Sequence, residues 1–402
     1  MPRDALGLPL SGAGEAAAAR YAEAVDLHLH AWPGAEAAMR AAAAESPGFA
    51  LAHAGLALLC LARGDPAAAR AALAEARATL VGADERVRSH VQLIAHIVEG
   101  RPADALAAVQ AHAQAWPLDA FAATTALGAF GLFAFSGSAT HDAARLRFVE
   151  ALAPHYPDDH SWLLTQRAWA HVEAGELAPG RAFLERSLAL RRANGNAAHV
   201  AMHLHFEAGD HAAALAFVDA WLAGYPGDAM LWGHLHWHAA LAHLALGDVE
   251  AALRRLRDPI SRHLAVAWPL VGLTDIASLL WRLALRGVPN LPWGTGEAFA
   301  ARWYAGGGNA LASIHLAMLA AARGDAPALA RIADHLQAPA AAGHGGAVAA
   351  LHWTRALAAR VAGDADTARR ELAACLAMAT CLGGSHAQRT VVERTQEAWA
   401  AD

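Results

Sequence analysis

The stretch LARGDPAAARAAL (61–73) decides the fold, because close variants of it recur along the whole chain. VEAGELAPGRAFL (172–184) and LALGDVEAALRRL (244–256) show the same order of features. A segment rich in alanine and leucine ends at a glycine, an acidic residue follows, and a second helix-forming segment begins. The pattern predicts two helices joined by a tight turn.

The turn glycines recur at a regular interval. They are Gly64, Gly100, Gly137, Gly175, Gly209, Gly247, Gly287, Gly324 and Gly363, and successive members lie 34 to 40 residues apart. We therefore expect an all-α fold, a right-handed α-solenoid of about nine tetratricopeptide-like helical hairpins. A single helical-repeat domain is predicted over residues 1–402, with repeats from about 15 to about 380 and a terminal helix over about 385–400.

Composition agrees with this fold class and argues against others. Apolar residues make up 56% of the chain, and alanine and leucine far outnumber β-branched residues, which favours helix over strand. The net charge is −6 and no basic tract is present, so a nucleic-acid partner is not expected. The three cysteines lack metal-ligand spacing and the N-terminus lacks an apolar segment. These features predict a cytoplasmic protein.

Four stretches depart from the repeat. The apolar segments 120–135 and 265–285 are predicted to be buried helices and not membrane spans. The first is shorter than a bilayer requires, and the second contains an aspartate and an arginine. The segments 287–310 and 337–347 are rich in Gly, Pro or Ala and are predicted to be loops.

Many of the 24 histidines fall into two groups when they are counted back from the turn glycines. Positions four and eleven residues before a glycine share one helix face, and we expect their side chains to pack within the hairpins. These are His53, His96, His171, His205, His236, His243 and His352. The second group lies on the nearly opposite face, which lines the concave groove of such repeats. It contains His90, His199, His203, His234, His238 and His315.

Four histidines of the second group have the spacing of metal ligands. His199 and His203 are four residues apart on one helix, and His234 and His238 are four apart on the first helix of the next hairpin. Side chains four apart are neighbours on a helix, and packed helices lie ~8–10 Å apart. The four imidazoles are therefore predicted to converge as metal ligands. The alternative is a polar groove whose histidines bind water or an acidic ligand.

Three further candidates lie in later repeats. Asp275 and Arg282 share one face of an apolar helix, where an unpaired charge is costly. Asp275 is predicted to act as a metal ligand, as a catalytic base or as the carboxylate that orients a ligating imidazole, and Arg282 to bind substrate. An internal ion pair between them is the alternative. His315 is a candidate catalytic residue, and its alternative is a core histidine.

The last candidate residues lie in the string LGGSHAQR (382–389). Ser385 and Gln388 fit a capping box, but that motif does not account for His386 or Arg389. We predict a catalytic role for His386 and substrate binding for Arg389, which lies at a helix N-terminus that attracts anions. Trp237, beside the histidines of its helix, is a third predicted substrate-binding residue.

The chain resembles the tetratricopeptide repeat protein 38 family. The matching strings are AFGLFAFSG (129–137), HVAMHLHFEAGD (199–210), HLHWHAAL (234–241), DIASLLWRL (275–283), SIHLAM (313–318) and GGSHAQR (383–389). The resemblance implies an all-helical repeat fold in a soluble intracellular protein, and it supplies no reaction. The family often has an Asp after the arginine of the last motif, whereas Thr390 follows Arg389 here.

Two classes of function are consistent with these features. Charged residues make up only 17% of the chain, whereas groove histidines and tryptophans are plentiful, which favours a groove that binds a small polar or anionic ligand. A metal-dependent enzyme is the catalytic form of this hypothesis, and its candidate cofactor is a divalent transition metal such as zinc, iron or manganese. The alternative is a non-catalytic scaffold that binds a partner peptide or protein in the groove. Neither class requires a membrane.

Overall fold

The computed structural model of the protein describes residues 1–401, and these residues form 22 α-helices with a few short 3₁₀ or π turns. Among the described residues, the strand-like pairing consists of one isolated antiparallel bridge between Arg3 and Pro9. The prediction of an all-α helical-repeat fold is confirmed. None of the described helices combines the length and the apolar character that crossing a bilayer requires.

The first compact unit, unit 1, contains residues 1–133, 143–201 and 228–231. Its helices are α1 (Glu15–Leu29), α2 (Ala35–Glu45), α3 (Ala50–Ala62), α4 (Pro66–Ala78), α5 (Glu85–Val98), α6 (Pro102–Ala115), α7 (Ala120–Thr124), α8 (His141–Leu152), α9 (Ser161–Glu173), α10 (Leu177–Leu190) and α11 (Gly195–Glu207). Helices α8 and α11 are each continuous, although the first two residues of α8 and the last six of α11 are assigned to the second unit.

The second compact unit, unit 2, contains residues 134–142, 202–227 and those from 232 onward. Its helices are α12 (His211–Leu222), α13 (Trp232–Ala245), α14 (Val249–Arg255), α15 (Ser261–His263), α16 (Pro269–Ala284), α17 (Trp293–Trp303), α18 (Ala310–Ala322), α19 (Ala326–Ala341), α20 (Gly345–Val361), α21 (Ala365–Ala377) and α22 (His386–Ala401). A π turn, Leu256–Ile260, lies between α14 and α15.

Consecutive helices pack as hairpins in both units. The pairs are α1 with α2, α3 with α4, α5 with α6 and α9 with α10 in unit 1, and α13 with α14, α16 with α17, α18 with α19 and α20 with α21 in unit 2. All nine predicted turn glycines have a positive φ, between 66° and 84°, a conformation that glycine adopts without steric cost. The aspartate after several of them caps the next helix, as Asp65 does for α4 and Asp248 for α14. The recurring Gly-Asp pair therefore ends one helix and starts another.

Helix α16 lies at the centre of the unit 2 core. Leu273, Ile276 and Leu280 are fully buried in a cluster that also contains Trp237 of α13. Helix α16 packs against α13, α18 and α22. Of the stretch 265–285, predicted to be a buried helix, Pro269–Ala284 forms one and its polar side chains Asp275 and Arg282 are buried with it, whereas Val266 precedes the helix and is 49% exposed.

Three predictions about the irregular stretches are wrong in part. The stretch 120–135 is helical only to Thr124, because Gly128 has a φ of 79° and a Cβ at Gly131 would collide with the carbonyl oxygens of residues 126 and 127. Within 287–310, α17 forms because its Phe299 packs onto α16 at Gly272, where a Cβ would lie 2.5 Å from the ring. Within 337–347, α19 continues through Ala341.

Candidate metal centre

Several histidines of the first group contact the second helix of their own hairpin, as predicted, whereas His53 lies 3.0 Å from the carbonyl of Pro47. The ring of His236 on α13 lies 2.8 Å from the Arg255 guanidinium of α14, and Nδ1 of His352 on α20 lies 2.7 Å from the Glu371 carboxylate of α21. Burial, together with Arg255, lowers the pKa of His236 to about 4. These side chains join the two helices of a hairpin and lie apart from the second group.

The second group is buried, and part of it converges. In unit 2, the ring of His238 lies 4.6 Å from that of His203 and 4.7 Å from that of His234, measured between centroids. The rings meet nearly edge to face, at 71° and 83°. His199 lies one turn before His203 on the continuous helix α11. One ligand nitrogen of each of His203, His234 and His238 lies within 4.8 Å of the others.

The periodicity of the α-helix explains this convergence. Side chains four residues apart lie above one another on a helix face, so His234 and His238 of α13 point the same way, as do the two histidines of α11. Helix α13 is buried on nearly all sides, from Gly233 to Leu244. The distribution of apolar residues around α13 therefore does not mark the face that carries His234 and His238. The number of residues between each histidine and the turn glycine does mark that face.

Asp275 of α16 fixes the orientation of one of these imidazoles. Its Oδ1 lies 2.7 Å from Nδ1 of His234. A neutral His234 that donates its Nδ1 proton to this carboxylate presents the lone pair of Nε2, which is the arrangement of metal-bound histidines in proteins. Asp275 is 2% exposed, and among residues 1–401 it forms no ion pair with an arginine or lysine. Its ion-pair partner in the described chain is therefore the imidazole of His234.

Trp237 packs behind the imidazoles. Its indole is stacked on His234 at 5.2 Å and 10°, and it meets His238 nearly edge-on at 4.9 Å. The indole N–H donates to Oγ of Ser278 on α16 at 3.0 Å. Trp237 is fully buried, so it holds two histidines in place instead of presenting a surface to a ligand.

The donor set and its dimensions fit a transition metal. Imidazole nitrogens bind zinc at about 2.0–2.1 Å, which places neighbouring nitrogens of a tetrahedral site about 3.3 Å apart. The nitrogens of His203, His234 and His238 lie within 4.8 Å of one another, a separation comparable to that spacing. The group contains no thiolate or carboxylate ligand, and Asp275 lies behind His234 as an orienting residue.

The guanidinium of Arg282 also lies near Trp237, 5.7 Å from the centroid of its ring. Its Nη2 donates to the carbonyl of Ala387 at 2.9 Å and to Oγ1 of Thr390 at 3.1 Å, and thus connects α16 to α22. Burial lowers the pKa of Arg282 to about 9. The alternative of an internal Asp275–Arg282 ion pair is wrong, because both side chains have other partners.

The remaining predicted residues do not join the histidine group. Nδ1 of His315 donates to the carbonyl of Leu311 at 2.7 Å, and burial lowers the pKa of His315 to about 4. Nδ1 of His386 lies 2.8 Å from Glu207, with its side chain 42% exposed. Arg389 donates to the carbonyl of Gly384 at 2.7 Å and lies 3.5 Å from Asp142. A role in substrate binding or catalysis for these three residues stays a prediction.

A second histidine cluster, in unit 1, includes three residues that the sequence analysis did not single out. Oδ2 of Asp119 lies 2.7 Å from the Arg86 guanidinium, 3.0 Å from Nδ1 of His90 and 3.3 Å from Nε2 of His112. Burial would raise the pKa of Asp119, but its two imidazole partners and Arg86 hold it well below its usual value. The available signal was the string WPLD (116–119), in which the aspartate precedes a new helix.

No family model matches this chain, and the solved structures that are similar to it include the following two. A crystal structure of the APC/C hetero-tetramer Cut9-Hcn1 has 13% identity and a TM-score of 0.43, covering 96% of this chain and 78% of that one. A structure of Naa15/Naa10 bound to HypK-THB has 11% identity and a TM-score of 0.23, covering 96% of this chain and 62% of that one. This chain thus spans less than two thirds of the length of the second. Likenesses at these TM-scores carry no information about activity.

Proposed function

We propose that the protein binds a divalent transition metal ion through His203, His234 and His238. His199, which lies on the same helix as His203, is the fourth ligand. Asp275 orients His234 and balances part of the charge of the ion. The observation that carries this proposal is that the ring of His238 meets those of His203 and His234 nearly edge to face, beside the buried carboxylate of Asp275, which pairs with His234 and with no arginine or lysine of the described chain.

The donor set narrows the choice of metal. Imidazole nitrogen suits zinc, iron, nickel and copper, whereas manganese and magnesium prefer carboxylate and water oxygens. A buried site without a directly placed carboxylate ligand therefore favours zinc or iron(II) over manganese, the third candidate from the sequence. The lack of a cysteine in the group also separates it from zinc sites built on thiolates.

His199 is the ligand that we propose a small molecule replaces. It is 9% exposed, the highest value among the four histidines, and its ring is stacked on Trp169 at 5.3 Å and 25°. With three imidazoles bound, a tetrahedral metal keeps one position for water or for a small polar or anionic ligand. The metal would supply Lewis-acid chemistry at that position. We also propose that the chain is related to the tetratricopeptide repeat protein 38 family.

Elemental analysis of the full-length protein, produced without a polyhistidine tag, tests the proposal. We expect about one metal ion per chain in the parent and loss of at least nine tenths of it in a His203→Ala, His238→Ala double variant. The matched control is His205→Ala, His243→Ala, which removes one histidine from each of the same two helices but from the other face. This control should keep the metal, and far-UV circular dichroism should show that all three proteins are helical.

Two results would contradict a metal centre. One is a parent protein without stoichiometric metal after incubation with zinc or iron(II) and removal of the excess. The other is equal metal loss in the two double variants. Either would favour the alternative of a groove that binds a partner peptide without metal.

A further inference from the structure

Unit 2 contains a second candidate binding site, separate from the histidine group. A cavity of about 540 Å³ lies between α17, α18 and α19. Its floor is Leu316 and Leu319 of α18, and its walls include Ala300 of α17 and Ile332 of α19. The volume lies within the range of small-molecule sites, which are mostly apolar with a few polar groups. None of the proposed metal ligands lines it.

Of the described residues, two carboxylates and two arginines line this cavity, and only one arginine among them is bound by a carboxylate. Both carboxylate oxygens of Glu297 bind Arg323, at 2.8 and 3.0 Å. The carboxylate of Asp325 accepts the backbone N–H of Ala328 and caps α19. Arg331 also lines the cavity, and no acidic residue within 1–401 forms an ion pair with it. One guanidinium is therefore left for an anion.

Neutral hydrogen-bonding groups lie along the same cavity. Tyr304 lines it, and burial raises the pKa of this phenol, which keeps the hydroxyl protonated and able to donate. The loop that follows Tyr304 also reaches the cavity. Gly307 in this loop has a φ of 90°, and a Cβ there would lie 2.9 Å from the ring of His335. Glycine thus lets the backbone close over His335, which also lines the cavity.

We propose that this cavity binds a small molecule that carries one anionic group, a carboxylate or a phosphate, on an apolar body. The anionic group binds Arg331, whose planar guanidinium matches both anions with two parallel hydrogen bonds. The apolar body covers Leu316, Leu319 and Ile332, which are otherwise a half-open apolar surface between helices. This site is independent of the metal centre.

Titration calorimetry with three probes of equal chain length tests the proposal on the full-length protein. The probes are decanoate, decyl phosphate and decylamine. We expect saturable binding of one molecule per chain for decanoate, decyl phosphate or both. Decylamine should bind at least tenfold more weakly, because its ammonium group is repelled by the guanidinium of Arg331. The better of the two anions identifies the chemical class.

Two arginine variants locate the anion. Arg331→Gln should weaken binding of the anionic probe at least tenfold. Arg323→Gln is the matched control, because that guanidinium is already bound by Glu297, and it should change the affinity less than threefold. Ala320→Trp places an indole in the cavity and should abolish binding, with circular dichroism used to check that the variant is folded.

Several results would overturn this inference. They are equal affinity for decylamine and the anions, unchanged affinity in Arg331→Gln, or no binding of any probe. Loss of probe binding in the His203→Ala, His238→Ala variant would also overturn it, because the two sites share no residue.

Discussion

Each unit buries a group of histidines beside an aspartate, but the carboxylate occupies a different place in the two groups. In unit 1, Asp119 lies at the centre, and one oxygen receives Arg86, His90 and His112. In unit 2, the imidazoles lie at the centre, and Asp275 stands behind His234. Residue types that look alike in a sequence therefore form two different electrostatic arrangements.

The difference lies in where the positive charge comes from. Arg86 supplies a permanent cation to the unit 1 cluster, so that cluster is balanced by the chain itself and a metal ion would meet a guanidinium. The described part of unit 2 gives Asp275 no such partner, and Arg282 is engaged with oxygens of α22. A buried carboxylate without a fixed cation is costly, and a metal ion bound by its imidazole partners would offset that cost. Thus a buried arginine distinguishes a structural cluster from a candidate metal site.

The largest expected effect is on the stability of unit 1. Asp119→Asn leaves Arg86 buried without its counterion, so we expect a loss of about 3–5 kcal/mol in the free energy of unfolding. Urea denaturation measures it, with Asp104→Asn, at an exposed ion pair with Arg101, as a control that costs at most about 1 kcal/mol. Metal content should not change in either folded variant. Loss of metal in Asp119→Asn, or an unfolding free energy equal to that of the control, would break the comparison.

His315 is a buried imidazole without a carboxylate partner in the described chain, and its effect on the pH dependence of stability extends the comparison. The pKa of His315 is lowered to about 4 by burial, against about 6.5 in an unfolded chain. Below pH 6.5 the unfolded state takes up a proton that the folded state does not, so stability falls as the pH drops from 6.5 to 4, by about 3 kcal/mol in total. In His315→Phe this part of the pH dependence should disappear from urea denaturation curves. A variant with the slope of the parent would show that His315 is not buried and neutral.

The smallest expected effect tests the orienting carboxylate of the metal centre. Asp275→Asn keeps an oxygen that accepts from His234 but removes the charge, so we expect metal affinity to fall 10- to 100-fold. Competition with a chelator of known affinity measures this change. The control is Ser278→Ala. Ser278 lies one turn after Asp275 on α16, and its hydroxyl accepts from the indole of Trp237, so this substitution should change metal affinity much less. Equal affinities in the parent and Asp275→Asn would remove Asp275 from the site.

Regular features of the chain were predictable from the sequence, and contacts between distant segments were not. The turn glycines and the faces of α11 and α13 follow from a constant spacing, so the convergence of His203, His234 and His238 was within reach. The irregular path after Thr124 depends on carbonyl oxygens that exclude a Cβ at Gly131, which no periodicity reveals.

The clusters that sequence reasoning missed depend on backbone partners or on sequence-distant side chains. Arg282 binds a backbone carbonyl of α22, 105 residues away, and a backbone acceptor has no sequence signature. Arg86 and Asp119 are 33 residues apart, and the first belongs to α5 whereas the second caps α7. Only the packing of the hairpins brings them together.

X-ray absorption at the metal edge of the zinc- or iron-loaded full-length protein tests the central claim most directly. We predict three or four imidazole nitrogens at about 2.0–2.1 Å for zinc, with the outer-shell scattering of histidine rings, and loss of that signal in His203→Ala, His238→Ala. A first shell of sulfur or mainly carboxylate oxygen, or a histidine signal that survives in the double variant, would contradict the account.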